Sequence, residues 1–216
     1  MATSTVGTTA AYARIALDGT RQQLHVWATH LTAYPYGPYA ACNMERGYGP
    51  GDIMKVEEDS GRVGQIKDVV AAMSSQIASR NSIPVFLMGD FNAPSHLDWV
   101  SAHKNKNCGI SSFQWPSSRV PTDAGLIDSF RKFHPDPVGV EGNTWSPINP
   151  YHDGDSGGFE PQDRIDFVYY AGNVQVTNSQ TYWLGKPAAQ PNHESNEWSS
   201  DHAAVLTSFR INSGSC

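Results

Sequence analysis

The sequence predicts one domain of the mixed α/β (α+β) class. Short strand patterns bounded by turn residues recur along the chain, and one amphipathic helix spans 61–80. The apolar run Ile83-Pro84-Val85-Phe86-Leu87-Met88 follows that helix directly. A chain of 216 residues is long enough to bury a sizeable core without disulfides, and no internal repeat or linker divides it.

Residues 1–10 are small and polar, with neither a basic segment nor an apolar stretch. They read as a disordered N-terminal segment and not as a signal peptide, with the folded domain expected over 11–212. Tyr12 to Leu17 and Leu24 to Leu31 flank Asp18-Gly19, a tight-turn pair, and read as a hairpin. In its second strand Leu24, Val26, Ala28 and His30 share one face, so His30 ends an otherwise apolar row. The stretch 34–59 is rich in Gly, Pro and Tyr and reads as a long ordered loop. From 61 to 80, Val63, Ile66, Val69, Val70, Met73 and Ile77 recur at helical spacing, with Asp59 or Ser60 as the expected cap. Residues 83–88 read as a strand buried on both faces. Segments 116–121 and 143–162 are dense in turn residues and read as loops. Arg164 to Tyr170 and Ala203 to Ile211 are the last clear strands.

Composition excludes some functions. No run of about 18 apolar residues is present to span a bilayer as a helix. A formal charge of −6 argues against a constitutive, sequence-independent grip on nucleic acid, which needs clustered Lys and Arg. It does not exclude a nuclease, because a bound cation reverses the local sign of a site. Cys42, Cys108 and Cys216 fit no zinc spacing; one disulfide with an orphan thiol and three free thiols are both open.

The chemistry sits at strand ends. Gly89-Asp90-Phe91-Asn92 follows the buried strand and offers a carboxylate and a carboxamide two residues apart. Alone this is usually turn capping; at the mouth of a cleft it can align a water or stabilise phosphoryl charge. In Arg164-Ile165-Asp166-Phe167-Val168-Tyr169-Tyr170 a carboxylate stands inside an apolar strand and needs a partner. Arg164 or a backbone amide is the bland partner. The sharper one is His202, in Ser199-Ser200-Asp201-His202, because an Asp that orients a His also raises its basicity. Asp201 is then free to hold a hard cation through oxygen. Gathered on one rim with His30, these groups suit metal-assisted attack on a phosphate ester.

Four segments together resemble the endonuclease/exonuclease/phosphatase superfamily, which includes deoxyribonuclease I and the neutral sphingomyelinases. They are Ala28-Thr29-His30-Leu31, Gly89-Asp90-Phe91-Asn92, Arg164-Ile165-Asp166-Phe167-Val168-Tyr169 and Ser200-Asp201-His202, in the family's order; Arg62 with Gln65, and Thr144-Trp145-Ser146, agree as well. The resemblance implies a four-layered sandwich of two packed mixed β-sheets flanked by helices. It implies that Asp90 and Asn92 position the attacking water, that Asp166 orients His202 beside the phosphate, and that His30 stabilises the phosphate or leaving group. Asp201 is the implied metal ligand, for Mg2+ or else Mn2+ or Ca2+. His30 disfavours the abasic-site branch.

One departure stands out. Family members carry a metal-binding Glu on an early strand, whereas no Glu precedes His30 here. The chain therefore looks like the C-terminal portion of a member with its N-terminal strands missing, and residues 1–216 alone are expected to be poorly soluble, loosely folded and slow. Glu45, Glu57 or Glu58 from the long loop would be the substitutes to examine. Other motifs fail. Asp153-Gly154-Asp155-Ser156-Gly157-Gly158 hints at a calcium loop, but its twelfth position is Arg164 and not Glu. His193-Glu194 lacks a second zincin His, and Ser200, Asp201 and His202 are too close in sequence to form a triad. His25, His96, His103, His134 and His152 read as surface or loop residues. Tyr34, Tyr36, Tyr39 and Tyr48 read as packing for the long loop, with a substrate groove as the alternative.

The expectation is a monomeric, metal-dependent phosphoesterase acting on a nucleic-acid or phospholipid diester, without a transmembrane segment. Low Lys content and Gly/Tyr/Trp-rich loops lean extracellular. The alternatives are an inactive copy of the same fold, and a non-enzymatic β-sandwich binding module whose strand-end polar groups are turn caps. A hydrogen bond between Asp166 and His202 would exclude the last.

Overall fold

A computed structural model describes residues 3–19, 21–152 and 158–211. Eight strands and five helices run in the order β1 (Thr3–Val6), β2 (Ala10–Ala16), β3 (Gln23–His30), α1 (Gly37–Ala41), α2 (Ile53–Asp59), α3 (Arg62–Ala78), β4 (Val85–Asp90), α4 (Pro116–Asp123), β5 (Ile127–Asp128), α5 (Ser129–Phe133), β6 (Asp166–Ala171), β7 (Val174–Tyr182) and β8 (Ala204–Ile211), with a 3-10 turn at Ser101–His103. Six strands form one mixed sheet in the order β1-β2-β3-β4-β6-β5, and β7 pairs with β8 in a second sheet. The β3–β4 pair is parallel; all the others are antiparallel. The second sheet of the expected sandwich thus has two strands among the described residues.

The hairpin forms where the turn pair predicts it, with Leu17 N–H donating to the Gln22 carbonyl at 3.1 Å. The N-terminal segment expected to be disordered instead supplies β1, which pairs with β2 from Thr3↔Ala13 to Val6↔Ala10. Helix α3 buries Ile66, Val69, Met73 and Ile77 against Trp27, Val85, Leu87, Phe167 and Tyr169 of the sheet. Each such side chain contributes about 1.5–3 kcal/mol relative to exposure. Its cap is neither Asp59 nor Ser60 but Gly61, at φ 75°, a left-handed turn that glycine adopts without strain. Asp59 is drawn away to accept from the Tyr48 hydroxyl at 2.7 Å.

Two expected loops contain helices. Within 34–59 lie α1 and α2, and 116–121 begins α4. Proline does not bar a helix at α4, because Pro116 occupies the first turn, where its missing N–H costs nothing. Both regions are also pinned from outside. Buried Glu57 accepts from Arg62 Nε at 3.0 Å and from the Ser117 hydroxyl at 3.0 Å, while Arg62 donates to the carbonyls of Thr32, Ala33 and Pro35. A disulfide joins Cys42, just after α1, to Cys108. Cys216 and the calcium-loop hint at 153–157 lie outside the described residues.

Strand β3 buries His25, Trp27 and Thr29, so the row Leu24, Val26, Ala28 and His30 is its less buried face. His25 and His103 are buried, contrary to the surface reading. His25 is hydrogen-bonded through Nδ1 to the Tyr12 hydroxyl at 2.7 Å, which makes it a satisfied core histidine.

Candidate active site

Register brings the site together. On the parallel β3–β4 pair His30 stands opposite Asp90, and on the antiparallel β4–β6 pair Asp90 stands opposite Asp166. Three neighbouring strands therefore end on one rung with a histidine and two carboxylates. Gly89 makes this possible: a Cβ there would lie 1.8 Å from the Thr29 carbonyl oxygen, so only glycine lets β3 approach so closely. Beyond Asp90 the chain turns through Asn92 at φ 48°. Asp90 Oδ1 accepts the Asn92 backbone N–H at 2.8 Å, and the Asn92 carboxamide donates to the Leu31 carbonyl at 2.9 Å.

His202 arrives from the other sheet. Its backbone bridges to Trp145, and Ala203 N–H donates to the Thr144 carbonyl at 2.8 Å. The buried Thr144 hydroxyl oxygen accepts from the N–H groups of both Ile165 and Asp166, at 3.0 and 3.2 Å, so one residue ties the two halves of the pair together. His202 Nδ1 and Asp166 Oδ2 are 2.8 Å apart. The Trp145 ring stands edge-on to His202, with centroids 5.0 Å apart. Arg164, the alternative partner for Asp166, is taken instead by Asp98 at 2.9 and 3.1 Å and by Asp128 at 2.8 Å in the interior.

All six expected residues, His30, Asp90, Asn92, Asp166, Asp201 and His202, line one open cleft of about 520 Å³. The bond between Asp166 and His202 removes the turn-cap reading. His30 is at the rim, its side chain 75% exposed and Nε2 3.4 Å from Asp90 Oδ2. Tyr36 and Tyr39, read chiefly as loop packing, form part of the cleft wall together with Trp145. Among the described residues, neither a lysine nor an arginine lines the cleft.

The electrostatics follow from crowding. Burial raises the Asp90 carboxyl from 3.8 to about 6, and the Asp166 charge adds to this; the Asn92 N–H, His202 and His30 pull back only in part. Burial pushes His202 down, but the bond to Asp166 and the charges of Asp166, Asp90 and Asp201 outweigh it and raise its pKa. Asp90, Asp166 and His202 offer ligand atoms all within 4.8 Å of one another. Two packed carboxylates with an imidazole, one of them held well above its usual range, make a donor set that a divalent cation would relieve.

Among the described residues, no glutamate lines the cleft. Glu57 is locked to Arg62 and Ser117 in the interior, and Glu45 accepts the Tyr36 backbone N–H at 3.1 Å. Glu58 is exposed.

The chain is thus an α/β fold whose sheet ends in an acidic, histidine-bearing cleft. A model of the endonuclease/exonuclease/phosphatase family matches residues 61–202. The chain belongs to that family. It is 36% identical over 190 residues to the uncharacterized protein F14F9.5 of Caenorhabditis elegans, covering 86% of this chain and 60% of that one. Among solved structures, the human Nocturnin catalytic domain with bound sulfate superposes with a TM-score of 0.55 at 13% identity, over 98% of this chain and 59% of that one. The Neisseria 3′ phosphatase NExo, bound to a product DNA hairpin, gives 0.52 at 16% identity, over 94% and 65%. These structural likenesses establish the fold.

Proposed function

We propose that this cleft is a metal-dependent phosphoesterase site acting on a phosphodiester. The observation that carries the reading is the His202–Asp166 bond set on the same rung as Asp90. Asp90 and Asn92 align a water, and the Asp90 carboxylate accepts its proton. The water oxygen bonds to phosphorus as the ester P–O bond breaks. His202, held in one tautomer through Nδ1 by Asp166, presents Nε2 to the phosphate and gives a proton to the departing oxygen. His30, on the opposite side of Asp90, stabilises the phosphate oxygens. Asp90 and Asp166, whose ligand atoms lie within 4.8 Å of each other, together with Asp201 of the cleft lining, would hold Mg2+, or else Mn2+ or Ca2+, which would supply charge neutralisation on the phosphoryl group.

Absence of Lys and Arg among the described residues of the cleft lining favours short or lipid-borne diesters over long nucleic acid. The disulfide between Cys42 and Cys108 supports an oxidising, extracellular setting. A second reading, an inactive member of the family, is favoured by the lack of a glutamate among the described residues of the cleft. The test is hydrolysis of DNA, sphingomyelin and a bis-aryl phosphodiester with Mg2+ and with EDTA. Turnover of one substrate, abolished by EDTA and by His202→Ala, is expected; no turnover of any at millimolar Mg2+ would favour the inactive reading.

A further inference from the structure

A buried carboxylate outside the expected site holds the cleft's aromatic wall from behind. Glu160, its side chain 3% exposed, accepts the Tyr39 hydroxyl at 2.7 Å and the Trp145 indole N–H at 2.6 Å on the same oxygen. Its other oxygen lies 3.2 Å from His152 Nδ1, and the His152 ring packs on Tyr39 with centroids 4.2 Å apart. These partners come from separate parts of the chain: Tyr39 from α1, Trp145 and His152 from the 143–162 segment. Two of them, Tyr39 and Trp145, line the cleft, and Trp145 is the ring set against His202. A carboxyl group this deep is costly unless its oxygens are satisfied, and three contacts to one side chain meet that cost here. A hydrophobic residue would pack such a wall as well but could not fix the rotation of an indole and a phenol about their own bonds.

We propose that Glu160 is a positioning residue: it clasps Tyr39 and Trp145 and, through Trp145, fixes the orientation of His202. The proposal rests on the reading of the cleft as a phosphoesterase site for its kinetic consequence only; the geometric consequence stands apart from it. Removing the clasp lets the indole turn away from His202, and a displacement of about 1 Å in a reacting group costs up to roughly a hundredfold in rate.

The experiment compares the wild type with Glu160→Leu and Glu160→Gln, using ring-labelled histidine to follow the His202 resonances by NMR, assigned with His202→Ala. In parallel it measures kcat and KM on a bis-aryl phosphodiester with Mg2+. Gln keeps a single oxygen able to accept from both Tyr39 and Trp145, whereas Leu keeps none. Glu160→Leu is expected to shift the His202 resonances and to lower kcat roughly tenfold to a hundredfold with little change in KM. Glu160→Gln should restore both. If the Leu variant does not fold, Glu160→Ser, which leaves room for water, takes its place. Unmoved His202 resonances in a folded clasp-less variant, or a Gln variant as impaired as Leu, would overturn the proposal. A wild type inactive on the diester would sink the phosphoesterase reading, and the resonance shift would still decide the clasp.

Discussion

Replacing Asp90 by Asn should stabilise the fold while destroying its chemistry. Asp90 is raised from 3.8 to about 6, chiefly by burial and then by Asp166. At about 1.4 kcal/mol per pH unit, ionising it in the folded state costs about 3 kcal/mol. Its side chain is 16% exposed, which brings the usable figure to roughly 1–3 kcal/mol. The sign follows from linkage. A carboxyl whose folded pKa lies above its unfolded one binds more protons when folded, so stability falls as pH rises from about 4 to about 6 and stays low above that. Asn carries no such cost, and its side-chain oxygen still accepts the Asn92 N–H. In urea denaturation with EDTA, Asp90→Asn should match the wild type near pH 4 and exceed it by roughly 1–3 kcal/mol at pH 8. Added Mg2+ should shrink the difference by stabilising the wild type preferentially. A gain that is absent at pH 8, or equal at both pH values, would refute the crowding of Asp90 on which the site's electrostatics rest.

Three further outcomes are expected. Asp166→Asn removes the bond that raises His202, so the imidazole should titrate at lower pH in an NMR titration with EDTA. The stability this pair contributes in the wild type is present below pH 6.5 and lost as pH rises through the raised value, so the variant should lose stability only on the acid side. His202→Ala should lower kcat by at least about a hundredfold at any Mg2+ concentration, whereas Asp201→Ala should partly recover as Mg2+ is raised; equal, metal-independent losses would remove Asp201 as a ligand. Reducing the disulfide between Cys42 and Cys108, which lie 66 residues apart, should lower stability by about 4 kcal/mol in denaturant titrations under reducing and non-reducing conditions.

The sequence by itself determined the helix of 61–80, the hairpin and the strand into Asp90, and it placed His30, Asp90, Asn92, Asp166, Asp201 and His202 at or near strand ends; that they share one cleft was expected from the family resemblance. The elements and strand ends are local patterns: spacing along a helix, turn residues, and polar groups placed where an apolar run stops. Helices α1, α2 and α4 were not legible: α1 and α4 contain prolines and turn residues, and α2 is only seven residues long, too short to show a helical period, and follows the turn-rich stretch 47–52. What holds two of those regions is remote, in the Glu57–Arg62–Ser117 cluster and the Cys42–Cys108 bridge. Strand β7, beginning at Val174, was missed because its outward side chains are mostly polar and its partner β8 lies some thirty residues on. The tertiary structure alone decided that Arg164 turns inward to Asp98 and Asp128, leaving Asp166 to His202, since both carboxylate sets are reachable from the same strand. It alone decided the register that aligns His30, Asp90 and Asp166, because side-chain alternation names a face but not a rung. Glu160 carried no signal at all in the sequence: it is a lone acid in a loop until folding brings an indole and a phenol to one of its oxygens.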